Sequence, residues 1–140
     1  MLRRLAHYSV RTEDLAASTR FYVDVLGLRI GARPPFGFPG VWLYLEIDNP
    51  SEQGCVHLIG AKEGPALRNY LGSGVRSAAD TGALDHIAFF ATDWPATRQR
   101  LDQHAVSFVE RFVPGLNLRQ VFMNDPNGVT IELNYPYPLP

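Results

Sequence analysis

Short apolar runs with alternating faces fill most of the chain, and two stretches switch to helical spacing. Residues 5–11 alternate as a strand does. Glu13 and Asp14 then open a helix, with Thr12 as the expected N-cap and the carboxylates at the positive end of the helix dipole. Leu15, Phe21, Tyr22, Val25 and Leu26 recur at helical spacing, and Gly27 suits the stop. Residues 28–32 read as a strand. The stretch RPPFGFPG, residues 33–40, holds three prolines and two glycines and is expected to be irregular. Its two phenylalanines, Phe36 and Phe38, either plug the edge of the core or form a flap over a pocket. Residues 41–47 form a strand with Val41, Leu43, Leu45 and Ile47 on one face and Trp42, Tyr44 and Glu46 on the other. A turn over 48–54 leads to a fourth strand over 55–60.

Residues 61–82 are polar and glycine-rich and serve as a connector, with a helical turn expected around Ala66–Tyr70. The stretch LDHIAFFAT, residues 84–92, then reads as a buried strand with a histidine inside it. A buried imidazole without a partner costs a few kcal/mol, so that histidine calls for one. Residues 94–104 form a helix with Pro95 tolerated in its first turn. Strands follow over 106–113 and 118–124, strong turn chemistry stands at Asp125-Pro126-Asn127-Gly128, and a last strand covers 129–134. The proline-rich tail 135–140 carries no strand or helix signal.

The order is β-α-β-β-β, twice. LAHYSVRTEDL near the start and LDHIAFFATDW in the middle match at a constant offset of 79, which sets Leu5, His7, Thr12 and Leu15 on Leu84, His86, Ala91 and Trp94. Two half-modules sharing a sheet are therefore expected within one domain spanning 1–140. The first covers about 5–60, the linker 61–82 and the second about 84–135.

With 140 residues and 46% hydrophobic content, the chain can bury one good core. A net charge of −1 offers no field for nucleic acid or an anionic membrane. Met1–Arg4 is basic, but the apolar stretch of roughly 7–15 residues that a signal peptide needs does not follow. Nor is there a run of about 18 apolar residues to span a bilayer. Cys55 is the only cysteine, which excludes a disulfide within the chain and fits a reducing compartment. A cytoplasmic protein is the expectation, with no nucleic-acid or membrane partner.

Matching places in the two modules carry the candidate chemistry. The first strands offer His7 and His86, and the fourth strands offer His57 and Glu132. If the modules pack as twofold mates, these four groups converge on one face. Imidazoles with one carboxylate suit a borderline divalent ion such as iron, manganese, nickel, cobalt or zinc. Open positions on such an ion would take a small substrate by two adjacent oxygens. His104 sits at a helix end and is expected to be solvated, and Cys55 is read as packing.

These residues resemble the vicinal oxygen chelate superfamily, which includes glyoxalase I, methylmalonyl-CoA epimerase, extradiol dioxygenases, and fosfomycin and bleomycin resistance proteins. The resemblance rests on His7, FYVDVLGLRI at Phe21–Ile30, LDHIAF at Leu84–Phe89 and DPNGVTIEL at Asp125–Leu133. It implies an α+β fold in which two βαβββ modules form a cup-shaped mixed sheet, with helices on the outer face and a divalent metal at the base. By resemblance His7, His86 and Glu132 match metal ligands, and His57 stands where glyoxalase I has a glutamate ligand. His57 is then a fourth ligand or a general base, and His57 and Glu132 are the catalytic candidates. Glu46 is the nearest substitute for the missing glutamate. Extradiol enzymes carry a tyrosine where this chain has Phe122. Phe36, Phe38, Trp42, Tyr44 and Phe122 are expected as substrate-pocket walls, with Arg119 for a substrate carboxylate. Extradiol-type cleavage and glyoxalase-like lyase or isomerase chemistry both stay open. So does a non-catalytic binding or resistance protein on the same cup. Small members of the superfamily often pair, which predicts a homodimer.

Overall fold

The structure, a computed structural model, describes residues 1, 5–46, 54–60, 64–71, 81, 84–113 and 116–136. Ile47, the turn residues 48–53, connector residues 61–63, 72–80 and 82, and residues 137–140 of the tail lie outside the described residues; Tyr135 and Pro136, expected to carry no strand signal, belong to the last strand. The fold is α+β and consists of two βαβββ modules in two compact units, Met1–Asp80 and Thr81–Pro140.

The first unit runs β1 (Tyr8–Thr12), α1 (Leu15–Arg20), a π-helical turn (Phe21–Val25), β2 (Arg29–Gly31), β3 (Gly40–Tyr44), β4 (Val56–Gly60) and α2 (Pro65–Leu71). Its sheet has the order β1-β4-β3-β2, with β1 parallel to β4 and the other pairs antiparallel. Asp14, not Thr12, is the N-cap of α1: its carboxylate accepts from the Ala17 amide at 2.9 Å. Thr12 is instead buried, its hydroxyl bonded to Ser18 at 2.8 Å, which ties the end of β1 to the helix. The widened turn after α1 leaves Phe21, Tyr22 and Val25 all buried, and Gly27 ends it with a φ of 78°. A left-handed residue costs glycine little.

β4 is buried along its whole length because both faces of the sheet are covered. Val56 and Leu58 are buried on the face that meets α1, with Leu43 of β3 opposite Val56, whereas Ile59 on the opposite face packs with Phe38 and Leu67. α2 is longer than the single helical turn expected there, and its Ala66 and Leu67 close that second cluster.

The second unit runs β5 (His86–Phe90), α3 (Trp94–Gln103), β6 (Phe108–Val113), β7 (Leu118–Asn124) and β8 (Thr130–Pro136), with sheet order β5-β8-β7-β6. α3 is capped by Asp93, whose carboxylate accepts from the Ala96 amide at 3.1 Å. The Asp125–Gly128 turn is built around one side chain: Asp125 Oδ1 accepts from the amides of Asn127 and Val129, both at 2.8 Å.

One expectation is overturned here. The 84–92 strand is not buried: β5 is an edge strand with β8 as its neighbour, and Leu84, His86, Ala88 and Phe90 are exposed. A continuous apolar run does not distinguish an edge strand from a central one, because the neighbours that cover it are remote in sequence.

Candidate functional site

Register puts the candidate residues in corresponding positions. His57 pairs with Ser9 on β1 and with Trp42 on β3. Glu132 pairs with Ala88 on β5 and with Phe122 on β7. Ser9 and Ala88 are 79 residues apart, the same spacing as His7 and His86. The slot of His57 in the first module is therefore the slot of Glu132 in the second. Paired residues share a face and successive ones alternate, so each of these side chains lies on the sheet face away from α1 or α3.

In the first unit this face carries an aromatic column. His57 is sandwiched between Trp42, at 4.0 Å and 5° between planes, and His7, at 3.8 Å and 18°. Phe36 continues the column beyond Trp42, and Phe38 stacks on Phe36. Arg33 clamps the irregular loop by lying over both phenylalanines and donating to the Phe38 carbonyl at 2.9 Å. His57 is 3% exposed, and neither of its ring nitrogens meets a hydrogen-bond partner of good geometry among the described residues; the same holds for Nδ1 of His7. Burial drives the His57 pKa down to about 4, helped by the neighbouring His7 and Arg33 and opposed by the Gly54 backbone. The ring is neutral at pH 7.

In the second unit the same face carries a polar chain. His86 Nε2 stands 3.0 Å from Glu132 Oε2, and its Nδ1 meets Asp85 Oδ1 at 2.7 Å. The Asp85 hydrogen bond raises the His86 pKa, partial desolvation lowers it, and the Glu132 charge raises it again. Glu132 is buried, and its Oε1 accepts from Gln120 Nε2 at 2.7 Å. Gln120 also donates to Asn134 Oδ1 at 3.1 Å and accepts from Arg111 Nε and Nη2 at 2.9 and 2.6 Å. Phe122 lies edge-on to His86 and under the Arg111 guanidinium. Beside it opens a groove of about 300 Å³ lined by Val109, Phe122, Asn124 and Thr130 among others.

The donor sets can be tested against a metal ion. Two neighbouring ligand atoms each about 2.1 Å from an octahedral ion lie about 3 Å apart, which is the separation of His86 Nε2 and Glu132 Oε2. That pair fits. His7 and His57 do not fit as a pair, because an imidazole binds a metal in its own ring plane at roughly 2 Å. Two nearly parallel rings stacked at 3.8 Å share no such point. As they stand, one of the two can serve an ion, not both. Among the described residues no three His, Cys, Asp or Glu side chains form a ready cluster, and the candidates fall as one pair in each unit.

Two expected pocket walls and the expected carboxylate partner have other contacts. Tyr44 is 1% exposed, with its ring over Gly31 and its hydroxyl donating to the Ala32 carbonyl at 2.6 Å. Phe38 is buried against Ile59 and Leu67, so it acts as the plug rather than the flap. Arg119 lies on the α3 face, paired with Glu110 at 2.7 Å and stacked over Trp94. The guanidinium on the Glu132 face is that of Arg111. Trp42, Phe36 and Phe122 remain half-buried on the candidate faces. His104 is exposed at the end of α3, Glu46 is exposed beyond β3, and Cys55 is half-buried.

Gln120, Arg111, Asn134 and Asp85 were not anticipated. Gln120 lies two residues before Phe122 and Asn134 two after Glu132, so strand alternation alone places them on the candidate face. Arg111 needs the β6–β7 register.

The family model described as Glyoxalase/Bleomycin resistance protein/Dioxygenase superfamily matches residues 4–133. The chain belongs to that superfamily. A curated relative from Arabidopsis thaliana, "Glyoxylase I 4", is 27% identical over 135 residues, covering 94% of this chain and 70% of the relative. Among solved structures, a fosfomycin resistance protein from Listeria monocytogenes superposes with a TM-score of 0.67 at 14% identity, over 96% of this chain and 94% of that one. A lactoylglutathione lyase from Agrobacterium tumefaciens gives 0.65 at 18%, over 96% and 95%. At these identities the solved structures speak for the fold alone.

Proposed function

We propose that this member of the superfamily is a metal-dependent enzyme acting on a small substrate with two adjacent oxygens, by glyoxalase-type lyase or isomerase chemistry. His86 and Glu132 of the second module are the pair assigned to a divalent ion of the nickel, cobalt, zinc, iron or manganese group, and His7 is the first module's candidate ligand. The observation that carries this reading is the 3.0 Å approach of His86 Nε2 to Glu132 Oε2, with the other carboxylate oxygen anchored by Gln120. A bound ion would act as a Lewis acid, steadying charge on the two chelated oxygens.

The chain's own residues supply the rest. His57 is not a ligand in this reading; sandwiched and neutral, it sets the plane of His7 and is the first module's candidate general base. The groove beside Phe122 is the candidate place for the apolar part of the substrate, and Trp42 and Phe36 are the first module's aromatic candidates for contact with it. Non-oxidative chemistry is favoured because Phe122 has no hydroxyl to bond an oxygen ligand, and because the curated relative carries a glyoxylase name. We assign the protein to the cytoplasm, consistent with a single thiol. A homodimer is expected; exposed apolar residues stand on the edge strands, Ile30 in the first unit and Phe90 and Val109 in the second.

The test is metal content and turnover together. Purified protein should take up one Ni²⁺, Co²⁺ or Zn²⁺ per chain and convert a hemithioacetal within a panel that also includes catechols and acyl-CoA thioesters. Glu132→Gln should lower metal occupancy sharply. A wild-type chain that holds none of the five ions sinks the reading. The second reading, a binding protein without turnover, draws on the aromatic column Phe36–Trp42–His57–His7 and would then stand.

A further inference from the structure

We infer that Gln120 is a positioning residue for Glu132, fixed in orientation by Arg111; the inference rests on the metal reading above. A glutamine amide presents an oxygen on one side and an NH2 on the other, and only its partners decide which is which. Arg111 decides it here. A guanidinium can only donate, and Nε and Nη2 both converge on the same Gln120 atom at 2.9 and 2.6 Å, so that atom is the oxygen. The NH2 must then face β8, where it donates one hydrogen to Glu132 Oε1 and the other to Asn134 Oδ1. Both donors of the amide are used, and both acceptor sites of its oxygen are used.

This engages Glu132 Oε1 and leaves Oε2, the oxygen facing His86, as the one available to an ion. The carboxylate is thereby set to bind through one oxygen, in a fixed direction. Hydrogen-bonded partners of a ligating carboxylate act in this way on metal affinity.

The first module shows that the device is not a by-product of the repeat. Its register pairs Gly31 with Trp42, and continuing that pairing sets Arg33 opposite Gly40, as Arg111 stands opposite Gln120. There the arginine guanidinium lies against the glycine, at 2.8 Å from where a Cβ would be, and its Nη2 donates to the loop carbonyl of Phe38. The corresponding β4 position holds His57, which is not a carboxylate. The glutamine is present in the module that has a carboxylate to orient.

The test titrates metal-free protein with Co²⁺, reading affinity by calorimetry and coordination by visible absorption, neither of which depends on turnover. Gln120→Leu, checked as folded by circular dichroism, should bind Co²⁺ roughly 10–100-fold more weakly, with altered absorption bands. Arg111→Ala changes an exposed side chain, leaves Gln120 in place and frees its amide to turn; it should weaken binding by less. Arg111→Lys keeps a donor and should recover most of the loss, which a purely structural role for Arg111 would not produce. A folded Gln120→Leu protein with wild-type affinity and spectrum overturns the inference and leaves the metal reading intact. Arg111→Ala binding as tightly as wild type removes the lock. Wild-type protein that takes up no Co²⁺ or other divalent ion overturns both.

Discussion

Acid should destabilise this protein through His57, and the size of the effect follows from its surroundings. The ring is 3% exposed, covered on both faces by Trp42 and His7, and holds two nitrogens without good partners. Its pKa falls from 6.5 to about 4 in the folded protein, chiefly through burial. An unfolded chain regains the ordinary value. On acidification the unfolded state therefore takes the proton first, between pH 6.5 and about 4, so stability falls as the pH drops through that window and levels below it. The drop from 6.5 to about 4 corresponds to at most about 3 kcal/mol. His57→Phe keeps a flat ring between Trp42 and His7 but cannot titrate. Urea denaturation of metal-free protein, followed by tryptophan fluorescence from pH 7.5 to 4, should show wild type losing more stability than the variant, by up to about 3 kcal/mol. At pH 7.5 the variant should be no less stable, since it removes two buried polar atoms that have no hydrogen-bond partner of good geometry among the described residues. Parallel curves for the two proteins across the window would refute the reasoning, because the ring would then be charging at no cost.

Two further substitutions probe the scaffold under the site. Gly31→Ala drives a Cβ into the Tyr44 ring, which is buried and tethered to Ala32, so overpacking should cost about 1–3 kcal/mol in urea denaturation; a change under about 0.5 kcal/mol would show that the ring yields. Asp125→Ala strands the amides of Asn127 and Val129, of which the Val129 bond is buried, and should cost about 1–3 kcal/mol. Asp125→Asn keeps the accepting oxygen and should cost clearly less. Equal losses in the two variants would locate the effect elsewhere than in those bonds.

Gly27, the prolines of the 33–40 loop and the Asp125–Gly128 turn mark element ends by local backbone chemistry, so the β-α-β-β-β order was legible from sequence. So was the histidine repeat, because strand alternation and a constant offset of 79 are one-dimensional properties. The equivalence of His57 and Glu132 belongs with them, and the register bears it out. What lies across strands was not legible. Arg119 and Phe122 stand three apart on β7 and so take opposite faces, and only the β6–β7 pairing brings Arg111 to the candidate face instead. Tyr44 looks like a pocket wall until Gly31, thirteen residues earlier, is seen to make room for its ring. The exposure of His86 likewise follows from β5 being the edge of its sheet. Local chemistry sets where strands begin, end and turn; which strands become neighbours depends on how the whole chain buries its apolar faces, and the partners of Glu132 are settled at that level.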